Sequence, residues 1–196
     1  MELVYPVSIA PLAAGNKGTR EMLPVVQPTG TVIARASRAS CHAARLLHPV
    51  VHLHIIDRFG KVYLQRRSLK KALYPLYWDT AVGGHVGYGE YLKEALFREA
   101  GEELAFYDFN PVPLTTYVWE SDTERELVNV FAAVGHFDLR PDGEEVAEGR
   151  WWDVSEIEEA MAREASEDVD PMDQDILTPN LVHEFGMIRN SLFSLL

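Results

Sequence analysis

The chain has 196 residues, a formal net charge of −12, 47% apolar and 24% charged residues, and one cysteine, Cys41. That composition suits a soluble globular domain with a core of its own. It excludes an internal disulfide and a thiolate metal cluster, and no apolar run reaches the roughly 20 residues of a membrane helix. The acidity is regional: 15 acidic and 3 basic side chains lie between Asp138 and Asp175, and the remainder is balanced. Such a segment reads as a solvated helix and loop, and it argues against non-specific nucleic-acid binding, which needs basic surface.

Residues 1–14 are mildly apolar without a basic flank, and read as a strand or strap on the domain rather than a cleaved leader. Leu23 to Val26 and Thr31 to Ala34 flank a Gln27-Pro28-Thr29-Gly30 turn, a β-hairpin signature. Ser37 to Leu47 is a short helix or an irregular link. Val50 to Ile56 is a strand with Val51, Leu53 and Ile55 on one face and His52, His54 and Ile56 on the other. Asp57-Arg58-Phe59-Gly60 turns it into a second strand, Lys61 to Arg66. Pro75 to Trp78 forms a loop before Thr80 to Val82, and a glycine-rich stretch follows, with Gly83, Gly84, Gly87 and Gly89. Glu90 to Leu104 has helical periodicity. Thr115 to Trp119 and Leu127 to His136 are paired strands, and Arg150 to Val154 is a short one. Ser155, with Glu158 placed for a capping box, opens a helix. Thr178-Pro179-Asn180 opens the last helix, through Leu192. Strands and helices mix without a βαβ repeat. The expectation is an α/β (α+β) domain, a mixed sheet sandwiched between helices. Residues 1–196 form one domain, with 1–45 as strap and hairpin and 46–196 as core.

The chemistry concentrates in the helix. With Glu99 at zero and about 100° per residue, Leu92, Ala95, Leu96, Glu102 and Glu103 fall at about +20°, −40°, +60°, −60° and +40°. Glu99, Glu102 and Glu103 therefore extend the apolar stripe. Buried carboxylates need partners, a metal or protons. Inward carboxylates suit a hard divalent cation such as Mg²⁺ or Mn²⁺. The glycine loop before the helix would let backbone N–H groups meet an anion at its N-terminus. On angles alone, a solvated helix end with a few ion pairs fits equally well.

Residues Gly84 to Phe106 resemble the Nudix box, G-x5-E-x7-R-E-U-x-E-E-x-G-U, with U bulky and apolar. Gly84, Glu90, Arg98-Glu99, Glu102-Glu103 and Phe106 fill the pattern. Ala100 is small for its position. Ala105 replaces the closing glycine, so the helix exit is expected to differ, because alanine does not take a positive φ cheaply. The resemblance implies a metal-dependent hydrolase that cleaves a diphosphate linkage by water attack on phosphorus. Glu99, Glu102 and Glu103 resemble the box's Mg²⁺ or Mn²⁺ ligands. Arg98 would orient a carboxylate, Glu90 in the first instance, and Gly84 would permit the loop turn. The general base would be a box glutamate or a carboxylate from a nearby loop.

More of the chain is similar to isopentenyl-diphosphate-isomerase-like Nudix proteins: Leu46-Leu47-His48, Leu64 to Ser68, Pro75 to Asp79, Gly83-Gly84-His85 and Thr178 to Asn180. The isomerase holds a second metal through histidines and glutamates. His48, His85 and His42 match its histidines, and Glu124 and Glu126 match its glutamate pair. Strand alternation would put Glu124 and Glu126 on one side. The isomerase cysteine, two residues before the loop histidine, is Gly83 here, and the box is intact. A hydrolase on an isomerase-like frame is the reading that results. The alternatives are a binding or regulatory protein without turnover, and the isomerase itself.

His85, Arg66 and Arg67 are candidate phosphate contacts, since arginine suits bidentate phosphate binding. A solvated hairpin is the other reading of the basic stretch. His52 and His54 read as ordinary strand histidines, and Trp78 as core. The expected partner is a small-molecule diphosphate, with no nucleic acid or membrane. The expected compartment is the cytoplasm, and a homodimer is a family-level expectation.

Overall fold

The chain turns at Gly30, whose φ is 83° and whose N–H donates to Gln27 O at 2.8 Å. Strands β1 (Met22–Val26) and β2 (Val32–Ser37) therefore pair antiparallel as the anticipated hairpin. The computed structural model describes residues 21–163 and 175–196. The expected strap at residues 1–14 and part of the acidic segment, 164–174, lie outside the described residues.

The link after the hairpin is a short helix, α1 (Arg38–Ala43), capped by Ser37, whose side chain accepts from Ser40 N–H. The apolar run that follows forms β3 (His48–Ile56), every residue of which is buried. At its end Gly60 takes φ 83° and closes the turn onto Asp57, so β4 (Val62–Arg67) folds back antiparallel. Then come β5 (Trp78–Asp79), β6 (Val82–His85), α2 (Leu92–Leu104), β7 (Val112–Glu120), β8 (Arg125–Val134) and β9 (Val146–Trp152). Helices α3 (Val154–Arg163) and α4 (Pro179–Phe193) complete the described chain.

Seven strands form one sheet, hydrogen-bonded in the order β5-β4-β3-β8-β7, with β6 on β3 and β9 on β4. The α+β class and the separate N-terminal hairpin agree with the sequence reading. α4 starts as anticipated, with Thr178 as N-cap accepting from Leu181 N–H at 3.2 Å and Pro179 in the first turn. α3 is capped differently. Asp153 N–H donates to Glu156 Oε2 at 2.7 Å, so the capping pair lies two residues before the expected Ser155–Glu158 pair. A carboxylate three residues after an N-cap serves either register, and burial of Ile157 and Ala160 selects the earlier one.

The described backbone divides into two compact units, and the divisions fall inside β3, β6, α2, β7 and β8. The first comprises 21–51, 84–96 and 116–129. Its apolar clusters join Leu23, Val25 and Cys41, and Val26, Leu47 and Leu127. The second comprises 52–83, 97–115, 130–163 and 175–196. There Ile56, Val62, Leu64, Ala132 and Trp152 of the strands meet Ile157 of α3 and Leu181, Phe185 and Leu192 of α4. Trp78 is core, as expected, 2% exposed with its indole N–H on Asp175.

Candidate active site

In the first unit, three histidines converge. His42 comes from α1, His48 opens β3 and His85 closes β6. One ligand nitrogen from each lies within 4.8 Å of the other two. His48 Nδ1 lies 2.7 Å from Leu46 O, a contact that requires the N–H on Nδ1 and leaves the lone pair on Nε2. That Nε2 is 3.8 Å from Glu126 Oε1, and His85 Nε2 is 4.0 Å from the same oxygen. His42 Nε2 and His48 Nε2 are buried without a hydrogen-bond partner. Burial pushes both rings below the ordinary histidine range, with Arg38 adding to it for each, so both are neutral and able to ligate. Converging orphaned imidazole nitrogens beside a carboxylate are the donor set of a divalent transition-metal site, and these residues fit one. His42 also lines a cavity of about 400 Å³ with Glu21, Ser37, Arg38 and Ala39.

His85, a candidate both for a phosphate contact and for the histidine set of a second metal, lies in the nitrogen cluster. Glu126 lies on β8 and is 6% exposed. Glu124 precedes the strand, in a turn where its N–H donates to Ser121 Oγ, so the alternation expected to pair it with Glu126 begins one residue late. The loop glycines differ too. Gly84, expected to permit the loop turn, lies inside β6, and the left-handed residue of the loop is Gly89, φ 87°. Glu90 closes that loop through Oε2, which accepts from Gly87 N–H at 2.8 Å.

In the second unit, α2 carries Arg98, Glu99, Glu102 and Glu103. Glu103 is 2% exposed, and its Oε2 accepts from Gln65 Nε2 at 3.2 Å and from Gly83 N–H at 3.3 Å. Burial pushes its carboxyl up to about 8, against the pull of Lys71. Glu99 accepts from Arg98 Nη1 at 2.8 Å, and burial pushes it up to about 7 despite that guanidinium. Glu102 departs from the expected inward trio, because its side chain is 62% exposed and 3.5 Å from Arg98 Nη1. Ala100 and Leu104 are fully buried. They pull the centre of the buried arc to roughly +50°, which leaves Glu102 about 110° away on the solvent side. A buried carboxyl, Glu103, a partly buried one, Glu99, and an exposed one, Glu102, on one helix fit a hard cation reached from solvent.

Arg66 and Arg67, the anticipated phosphate contacts, hold the loop before β5. Arg66 donates to Leu76 O and Glu148, and Arg67 donates to Leu73 O and Asp79. One cluster escaped the sequence reading. His52 and His54 both bond the buried carboxylate of Glu184 on α4. The available signal was two histidines on one face of an apolar strand, with a glutamate inside the apolar stripe Leu181, Phe185, Ile188.

A model of the NUDIX domain matches residues 46–175. The chain belongs to the Nudix family. An isopentenyl-diphosphate Delta-isomerase from Leifsonia xyli is 32% identical over 157 residues, 73% of this chain and 82% of the relative. An uncharacterized Nudix hydrolase from Rhodococcus erythropolis is 32% identical over 161 residues, 75% of this chain and 85% of the relative. A solved protein from Deinococcus radiodurans superposes with a TM-score of 0.69 at 23% identity, covering 86% of this chain and 99% of its own. The NUDIX domain of Shewanella oneidensis NrtR, solved with ADP ribose, gives 0.58 at 17% identity, covering 80% and 99%. These two likenesses show the Nudix fold. Membership makes this a Nudix hydrolase in the broad sense, a protein acting on diphosphates. Among the described residues no helix is long and apolar enough to cross a membrane.

Proposed function

We propose that this Nudix protein is a divalent-metal-dependent hydrolase that cleaves a diphosphate linkage in a small molecule by attack of water on phosphorus. The observation that carries the reading is the pair of withdrawn carboxyls on the helix of an intact box, Glu103 buried and Glu99 with its side chain 14% exposed. Neutral side chains of similar shape would stabilise that helix better, so the acids answer to a ligand. Mg²⁺ or Mn²⁺ held by Glu99, Glu103 and the exposed Glu102, when bound, neutralises diphosphate charge and lowers the pKa of a coordinated water. Arg98 orients Glu99 through its 2.8 Å hydrogen bond. Glu90 keeps the Gly87–Gly89 loop closed. His42, His48, His85 and Glu126 make a second, nitrogen-rich site suited to Mn²⁺ or Zn²⁺.

The histidine cluster favours one second reading, the isomerase of the Leifsonia relative. Gly83 opposes it, since the resembling family carries its cysteine there. The deciding experiment is phosphate or pyrophosphate release from a panel of nucleoside-linked and isoprenoid diphosphates, with Mg²⁺ or Mn²⁺ and with chelator. Metal-dependent release from any member is the expected result. Release that chelator leaves untouched, or none across the panel, sinks the reading.

A further inference from the structure

Strand β3 places His52 and His54 against α4, where Glu184 is 0% exposed. Each carboxylate oxygen takes one ring: His52 Nδ1 on Oε2 at 2.9 Å and His54 Nε2 on Oε1. Burial alone would raise this carboxyl, but the two histidines outweigh it and hold Glu184 well below the usual carboxylate range. An ionised carboxylate only accepts, so it fixes the Nδ1–H tautomer of His52. The opposite ring edge then carries the basic nitrogen. That edge faces Gly83: a methyl group at Gly83 would lie 3.5 Å from His52 Cδ2 and 3.6 Å from Nε2. Gly83 N–H in turn donates to Glu103 at 3.3 Å. The basic edge of His52 and a box carboxylate thus flank one glycine. His52 is 9% exposed, whereas His54 and Glu184 are 0% exposed, so of the three it is His52 that meets solvent.

A buried carboxylate that locks one imidazole nitrogen while the other is turned to the reacting space is how proteins build a general base. We propose that His52, positioned by Glu184, is the general base of the diphosphate hydrolysis, a role that rests on the hydrolase reading above. Water oxygen bonds to phosphorus. The bridging P–O bond breaks, and its electron pair stays on the departing phosphate oxygen. The water proton passes to His52 Nε2, and Glu184 stabilises the imidazolium through Nδ1–H. The proton then leaves to the departing phosphate or to solvent. His54, on the second carboxylate oxygen, stops Glu184 from rotating and is a positioning residue. Among the described residues, the titratable groups placed beside the ring include Glu184 from α4, His54 along β3 and, across Gly83, Glu103 of α2.

His52→Gln keeps a donor for Glu184, so the fold is retained. Its turnover is expected to fall about 10²- to 10⁴-fold, with loss of the acid limb of the kcat–pH profile. Glu184→Gln is expected to move that limb to lower pH, because the imidazolium loses its counter-charge. A His52→Gln enzyme with unchanged rate and limb overturns the proposal. Imidazole ¹⁵N resonances of the wild-type protein, titrated with Mg²⁺ and methylene diphosphonate, supply a readout without turnover. The His52 Nε2 signal is expected to shift while that of His54 stays. An unmoved His52 signal, at saturation followed on other resonances, also overturns the proposal. A silent substrate panel with the His52 shift intact counts instead against the hydrolase reading.

Discussion

Gly83 donates its backbone N–H to Glu103 Oε2 at 3.3 Å, so the strand before the loop grips a carboxylate on the helix after it. Gln65 Nε2 holds the same oxygen at 3.2 Å. Both donors are neutral, and Glu103 remains a buried acid pushed up to about 8. Two hydrogen bonds orient the group without supplying the positive charge that would let it ionise, which is the state of a ligand awaiting a cation.

Glu103→Gln separates the chemistry from the fold. The amide keeps the shape, and its oxygen can still accept from Gln65 and Gly83. Turnover is expected to fall by orders of magnitude, while the metal-free melting temperature stays within about 3 °C of wild type or rises, because no acid remains to be kept neutral. Initial-rate kinetics beside a thermal melt read both, and unchanged activity removes α2 from the site.

The raised carboxyls set a pH dependence of the metal-free protein. Glu99 at about 7 and Glu103 at about 8 lie above their unfolded value of 4.5, so the folded state binds more protons between those limits. Their contribution is full below pH 4.5 and is lost as pH rises through 7 and 8. Glu184, held low, acts in the opposite sense and only on the acid side. Melting of chelated protein is expected to drop by roughly 5 °C from pH 5.5 to 8.5. Mg²⁺ is expected to remove most of that drop, with proton release on binding measurable in weak buffer. A flat profile in chelator contradicts the raised carboxyls.

Local rules made the elements legible. Gly30 and Gly60 marked the hairpin turns, Thr178-Pro179 marked the start of α4, and the box spacing located the acids on α2 before any coordinates. Angles taken about Glu99 missed that Ala100 and Leu104 recentre the buried face, and so put Glu102 inside. The pairing of Glu184 with His52 and His54 spans 132 and 130 residues. No periodicity reports such a contact, since each partner alone reads as an ordinary strand or helix residue.

The exit of α2 is strained in a way the sequence reading expected the chain to avoid. Ala105 takes φ 51°, the left-handed value that the box's usual glycine would adopt, and its N–H still donates to Gly101 O at 3.1 Å. The closing bond and the burial of Phe106 hold an L-residue where it costs about 1 kcal/mol or more. Ala105→Gly is expected to stabilise the protein by about 0.5–1 kcal/mol, the relief exceeding the added freedom of the unfolded chain. Gly101→Ala puts a methyl 2.4 Å from Cε1 of the exposed Tyr107 ring, which must swing into solvent and give up its bond to Gly101 O. Alanine's helix propensity offsets that loss, and a near-neutral change is expected. Urea melts of the two variants decide, and a destabilised Ala105→Gly refutes the strain.

Gly83→Cys tests whether the isomerase frame has only lost its nucleophile. A Cβ at residue 83 makes ordinary contacts, 3.5 Å to His52 Cδ2 and 3.8 Å to Thr80 Cγ2, so the variant is expected to fold with a melting temperature near that of wild type. Hydrogen transfer across a double bond needs an acid and a base aligned on opposite sides of the same carbons, and a misplacement of about 1 Å can cost 100-fold. Here the new thiol would meet an imidazole edge locked by Glu184 at 2.9 Å. The thiol is therefore expected to react readily with iodoacetamide, as a thiolate beside a histidine does. It is also expected to produce no migration of the double bond in isopentenyl diphosphate, followed by proton NMR in deuterated water. Deuterium incorporation by this single variant would mean that the frame has kept the isomerase pocket and that the glycine alone separates the two activities.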